Sequence, residues 1–183
     1  ALGVPDAGRH GRLDTAVAEV RALWAGGPAA DGTPVGPVPV QAGGPPLLAS
    51  AMGPKSLARA AKWADGVSGF SLLADAREMS KGTRAAVEAW EGAGRTDRPR
   101  LLTGSFAALG PHAESTLREF AYTYLEVFSP ALARGLADAM PLHTPDALRA
   151  AIDAAEAAGC DEFVVVPATS DPAMLQHLAA VVG

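Results

Sequence analysis

The chain has 183 residues, 49% of them hydrophobic, and a formal net charge of −5 at pH 7. This length and apolar content exclude a disordered chain and suit one domain with a real core. The acidic balance, without any basic cluster, argues against a nucleic-acid partner, and no apolar run is long enough to cross a bilayer.

The first 11 residues are Gly-rich and read as irregular. From 12 to 24, Leu13, Ala16, Val17, Val20, Leu23 and Trp24 fall on one helical stripe. Gly26-Gly27-Pro28 stops that helix. Residues 28–46 are dense in Gly and Pro and read as a long surface excursion rather than a central strand. Residues 47–51 read as a short buried strand. A helix over 54–64 follows, with Pro54 in its first turn. Residues 67–71 form the next strand. Asp75 and Glu78 then have the spacing of a capping box and open a helix to about Gly94.

A strand over 100–109 comes next, then a helix over 112–128 that carries Phe120, Tyr122, Tyr124 and Phe128. These aromatics suit a core or a subunit interface. Pro130 interrupts, and a further helical piece runs to about Ala139. Thr144-Pro145 and Asp171-Pro172 each pair a cap with a first-turn proline. They open helices ending near Gly159 and Val182. Between them, residues 162–167 (EFVVVP) read as the clearest strand. Four strands, each followed by helix, make a run of parallel β/α units. We read 1–183 as a single β/α domain, with 1–46 a helix plus a Gly/Pro-rich excursion and 47–183 the four units.

In such folds ligands bind at the strand C-termini. The turn Ser50, Ala51, Met52, Gly53 sits there, at the start of a helix. Small side chains let a phosphate approach backbone N–H groups, and Lys55 adds a charge. The plainer alternative is an ordinary strand–helix turn. It is not a Walker A loop, because Pro54 separates Gly53 from Lys55 and no earlier glycine has the required place. Gly69, Phe70 and Ser71 end the next strand. Gly69 has room to admit a cofactor and Phe70 to pack on it; the alternative is a core strand end.

His10, His112, His143 and His177 lack metal-ligand spacing, so no metal is expected. Ser105 has no nucleophile-elbow motif. Cys160 is the only cysteine, which excludes a disulfide framework, and it reads as a buried, inert thiol. With no signal peptide at the start, the expected location is cytoplasmic. The chain begins with Ala1 rather than Met.

Four stretches resemble one family. Gly11-Arg12-Leu13-Asp14 through Leu23-Trp24-Ala25-Gly26 resembles a "GRxDE…LRxLWxG" helix. Gly44-Pro45-Pro46-Leu47-Leu48, Gly53-Pro54 and Ala60-Ala61-Lys62-Trp63-Ala64-Asp65-Gly66 resemble a "GPPlxxGGxSPxxxxxAAxxADG" segment. Residues 99–110 fit a seventh strand, and Ala158-Gly159-Cys160-Asp161-Glu162-Phe163-Val164-Val165 fits "aGxDexvl" at an eighth. The sequence is thus similar to the C-terminal half of luciferase-like monooxygenases.

The resemblance implies an eight-stranded TIM-type barrel, of which this chain supplies strands five to eight; such barrels run to roughly 250 residues. It implies an oxidoreductase that binds reduced flavin (FMN) or coenzyme F420 at the C-terminal face and acts on a small-molecule substrate. The implied cofactor contacts fall on Ser50, Ala51, Met52, Gly53, Gly69, Phe70 and Ser71. In the family, the usual proton-handling side chains lie in the other half, so no catalytic residue is assigned. The alternative is a non-catalytic half-barrel that binds no redox cofactor alone. Either way the expected partner is a missing N-terminal half or another copy of the chain. That partner would cover an inward apolar face including residues of Leu47-Leu48, Val67, Leu101-Leu102 and 164–166.

Overall fold

The computed structural model describes residues 7–182. The chain divides into two compact units, Ala1–Leu47 and Leu48–Gly183. In the first unit, helix α1 spans Arg9–Trp24. It begins earlier than the sequence suggests, inside the stretch read as irregular; positions 1–6 of that stretch lie outside the described residues. No α1 residue is fully buried; Val17, Val20, Leu23 and Trp24 of its stripe are half-buried. The excursion after it carries no strand, and Val35, Val38 and Val40 are exposed. Gly44 has φ +89°, and a Cβ there would collide with the Trp24 ring.

The second unit is a four-stranded sheet in the order β1-β2-β3-β4: Leu48–Ala49, Gly66–Ser68, Arg100–Ala107 and Glu162–Pro167. All three pairings are parallel. Sequence-neighbouring strands lie side by side, and helices make every crossover, as parallel pairing requires. Helix α2 (Pro54–Ala60) joins β1 to β2, and α3 (Ala76–Gly92) joins β2 to β3. Three helices, α4 (Ala113–Leu125), α5 (Pro130–Asp138) and α6 (Pro145–Ala157), lie between β3 and β4, and α7 (Ala173–Val182) follows β4.

Local chemistry accounts for the element ends. Thr144 Oγ1 accepts the Ala147 N–H at 3.2 Å, and Asp171 Oδ1 accepts that of Ala173 at 2.9 Å. Helix α2 stops at Ala60, short of the expected 64. Its last carbonyls accept from the tight turn that follows: Lys62 N–H donates to Arg59 O and Trp63 N–H to Ala60 O, both at 3.0 Å. Arg95, distant in sequence, holds that turn, its Nη1 donating to Ala61 O at 3.3 Å and Ala64 O at 2.5 Å.

Side chains alternate across the sheet. Val67 and its register partner Leu101 pack with Leu57 of α2 and with Ala86 and Trp90 of α3. They face outward, which corrects the expectation that both line the inner face. The inner face carries the intervening positions, among them Leu48, Ser68, Leu102, Val164 and Val166. Gly104 also lies there; a Cβ on it would collide with the Val164 carbonyl, so the β3–β4 approach depends on its absence. A second core cluster joins the C-terminal end of β3 to α4, α5, α6 and α7, centred on Leu117, Leu142 and Leu148, all nearly fully buried. Burying each leucine contributes roughly 1.5–3 kcal/mol.

Candidate functional site

The sheet ladder continues past β2. Gly69 N–H donates to Leu102 O at 2.8 Å and Ser71 N–H to Gly104 O at 2.9 Å. This extension holds Gly69, Phe70 and Ser71 at the C-terminal end of β2, beside the turn that follows β1. A cleft of about 400 Å³ opens there, and Ala51, Met52, Gly69, Phe70 and Ser71 form its mouth. Ser50 and Gly53 are not part of its lining.

The proposed anion turn is less open than its sequence suggests. Gly53 N–H already donates to Ser56 Oγ at 3.1 Å, and the same hydroxyl donates back to Gly53 O at 2.8 Å. Pro54 has no N–H, and α2 is only 7 residues long. Met52 is 82% exposed, so a flat apolar group has a surface to lie on. A Cβ at Gly69 would come no nearer than 3.4 Å to Leu102 O, which leaves the backbone approachable. Small residues and one exposed thioether suit a flat apolar group better than an anion.

Ser71 has a different place from the one expected of a ligand contact. Its side chain is buried, at 2% exposure. Its hydroxyl donates to Glu78 Oε2 at 2.5 Å and accepts the Asp75 N–H at 3.1 Å. Asp75 caps α3 by accepting the Glu78 N–H at 2.7 Å. In a full capping box Glu78 would reach back to the Asp75 N–H. Here Ser71 takes that N–H, and Glu78 turns to Ser71.

Phe70 lies 4.9 Å from Phe106, centroid to centroid, and Phe106 lies 5.0 Å from Phe120 and 5.1 Å from Tyr124. These rings join the strand ends to α4. Phe120 and Tyr122 are half-buried against the core cluster, while Tyr124 stays 56% exposed and Phe128, just past α4, 73%. The i, i+4 spacing of Phe120 and Tyr124 is visible in the sequence, but their partner Phe106 is not. Behind the mouth the cleft is lined by Met79, Gly82, Thr83, Ala85 and Ala86 of α3, by Leu101 and Thr103 of β3, and by Cys160. Sequence reading missed this recess; the run of small residues along α3 is its only signature. Burial pushes the Cys160 thiol above its usual pKa, and the Asp161 carboxylate adds to the shift while Arg98 opposes it. Among the described residues no group of His, Cys, Asp and Glu could hold a metal ion, and no helix is long and apolar enough to cross a membrane.

At the other end of the sheet, Asp161 ties β3 to β4. Its carboxylate accepts the Leu101 N–H at 2.7 Å and two bonds from Arg98 Nη1 at 2.7 and 2.9 Å. Burial alone would raise its pKa; the Leu101 N–H and Arg98 outweigh that and hold it below the usual aspartate value.

The sequence model that describes luciferase-like monooxygenases matches residues 1–159. The chain belongs to this family. Solved structures agree with the fold. The monooxygenase RslO1 from Streptomyces bottropensis is 21% identical with a TM-score of 0.63; the match covers 97% of this chain and 61% of that one. An F420-dependent secondary alcohol dehydrogenase, solved with an F420-acetone adduct, is 18% identical with a TM-score of 0.66 over 98% of this chain and 64% of that one. EDTA monooxygenase from Chelativorans sp. BNC1 is 17% identical with a TM-score of 0.61, covering 98% and 61%. No curated protein matches the chain. This luciferase-like chain spans about three fifths of the length of the solved structures it matches. Its four parallel strands fit half of a TIM-type barrel.

Proposed function

We propose that this luciferase-like chain supplies one half of a flavin- or F420-dependent oxidoreductase, and that Ser50, Ala51, Met52, Gly53, Gly69, Phe70 and Ser71 form its share of the cofactor site. Family membership carries the reading. It is supported by the adjacency of the two strand ends, set by the parallel register Leu48 with Gly66 and Ala49 with Val67. The bound cofactor supplies the redox chemistry; FMN and F420 both stand. The chain's own residues bind and position. Gly69 admits the ring, Met52 and Phe70 give it apolar contact, and the Ser71 hydroxyl fixes α3 rather than touching a ligand. A small-molecule substrate would meet the cofactor on the inner face, with the remaining surface supplied by another polypeptide segment.

Met52→Ala tests the reading. Met52 is 82% exposed, so the substitution is tolerated by the fold. In the complete barrel, fluorescence titration with FMN and with F420 should show one of them binding, and Met52→Ala should weaken it about five-fold or more through the lost apolar contact. Unchanged affinity places the site elsewhere.

A second reading has its own support. Strands β1 and β4 each pair on one side only, and Val164 on the inner face is 43% exposed. Such edges and faces favour association, with each covered apolar side chain contributing roughly 1.5–3 kcal/mol. The 183-residue chain alone should then bind neither cofactor and should associate at micromolar concentration in light scattering. A monodisperse monomer with a cooperative melt refutes this second reading.

A further inference from the structure

The cleft has two parts. Its mouth lies at the strand C-termini, where a barrel cofactor binds. Its body runs behind the sheet, between the outer face of β2–β3 and helices α2 and α3, and reaches Cys160 just before β4 begins. A cofactor on the C-terminal face reaches only the mouth, so the body has no occupant in the proposed function. We propose that this recess is a separate binding site for a small, uncharged, largely apolar molecule with one hydroxyl or carbonyl group, hydrogen-bonded to Thr103.

Size is the first argument. Mouth and body together hold about 400 Å³, within the roughly 300–1,000 Å³ typical of ligand pockets. An apolar cavity of about 150 Å³ already takes a benzene-sized guest. The space in the body exists because α3 turns Thr83, Ala85 and Ala86 toward it, with the exposed Gly82 at its rim.

Polarity is the second argument. Thr103 is 94% buried by its 6% exposure, yet its hydroxyl makes no hydrogen bond among the described residues. Its oxygen is not sealed in the core but opens onto the cleft. Alternation along β3 puts it on the same outer face as Leu101. Water reaches this hydroxyl only through the cleft, and a ligand oxygen can take that water's place. The neighbouring Thr83 hydroxyl is already committed to Ala158 O at 2.8 Å. The charged residues of the lining, Glu78 and Lys81, are exposed and sit at the rim, so nothing inside balances a ligand charge.

The test uses the full chain, 2-naphthol as probe and naphthalene as the analogue without a hydroxyl. Binding is read by fluorescence titration and by alkylation of Cys160, the sole thiol, with N-ethylmaleimide. Saturating 2-naphthol should slow alkylation several-fold. Thr103→Val should weaken 2-naphthol about five-fold, the worth of one neutral hydrogen bond, and leave naphthalene unchanged. Ala85→Leu fills the recess from its half-buried wall; it should abolish binding of both probes. Gly82→Leu, at the exposed rim, favours helix and should weaken both probes if Ala85→Leu does not fold. Equal probe affinity in the variants that fold overturns the proposal. So does a dimer that either variant dissociates in light scattering, because a second copy then fills the groove. Loss of FMN and F420 binding by the complete barrel would sink the proposed function and leave these outcomes intact.

Discussion

Ser71→Ala separates the ligand contact expected of this residue from the place the structure gives it. In the structure its hydroxyl is a structural bracket: it donates to Glu78 Oε2 at 2.5 Å and accepts from Asp75 N–H at 3.1 Å. A net hydrogen bond to a charged group contributes roughly 1.5–3 kcal/mol, and a neutral one about 1 kcal/mol. Glu78 and Asp75 are both exposed, so water recovers part of each. The discounted loss is about 2 kcal/mol. For a chain of this size each kcal/mol shifts the melting temperature by about 2–4 °C, so the variant should melt roughly 4–8 °C lower. Circular-dichroism melts without any cofactor read this directly. Glu78→Gln keeps an acceptor but loses its charge, and should cost about half as much. If Ser71→Ala melts like the parent and loses only cofactor affinity, the hydroxyl is a ligand contact and the bracket argument fails.

Other substitutions probe the frame. Asp161→Asn should lower stability at neutral pH by under about 1 kcal/mol, because the Arg98 pair is 51% and 36% exposed and solvent screens it. The folded carboxyl titrates below its usual value, so its contribution is present at neutral pH and is lost as pH falls through the folded pKa. The gap between parent and variant in urea titrations should therefore close in acid; a gap that widens in acid contradicts the sign. Trp90 is 1% exposed and its Nε1 has no hydrogen-bond partner among the described residues. Trp90→Phe removes that unpaired donor and should cost under about 1.5 kcal/mol, whereas Trp90→Ala should cost about 3–5 kcal/mol. Equal losses for the two would show that the indole nitrogen is satisfied in solution.

The strand order was legible because strict β/α alternation permits little else. Residues 162–167 combine β-branched residues with flanking stops, and β4 has those bounds. The caps at Asp75, Thr144 and Asp171 were equally plain, since each is a local side chain bonded to a nearby N–H. The end of α2 was not, because the turn after it is held by Arg95, more than thirty residues away. Facing was misread at Val67 and Leu101: the short apolar runs around them lack visible alternation, and only the register reveals which side α3 covers. The mouth residues were named from position at a strand end. Ser71's bracket and the Thr103 recess needed three dimensions, since each joins residues whose sequence neighbours give no hint of the pairing.

After β3 the chain leaves the β/α frame, builds the α4–α5 hairpin, and returns to make α6. The Ala108 N–H donates to Leu142 O at 3.0 Å, so exit and re-entry are pinned together. The hairpin hangs from a closed neck, and its aromatic row faces the strand ends through Phe106. Lengthening a flexible connection is inexpensive, about 0.6 kcal/mol for each doubling. Residues added at the exposed turn after α4 leave the pairing of β3 with β4 untouched. The neck therefore works as a port for insertion: the tip can grow and bring new groups, while Leu117 and its neighbours keep the hairpin seated and the scaffold keeps its register.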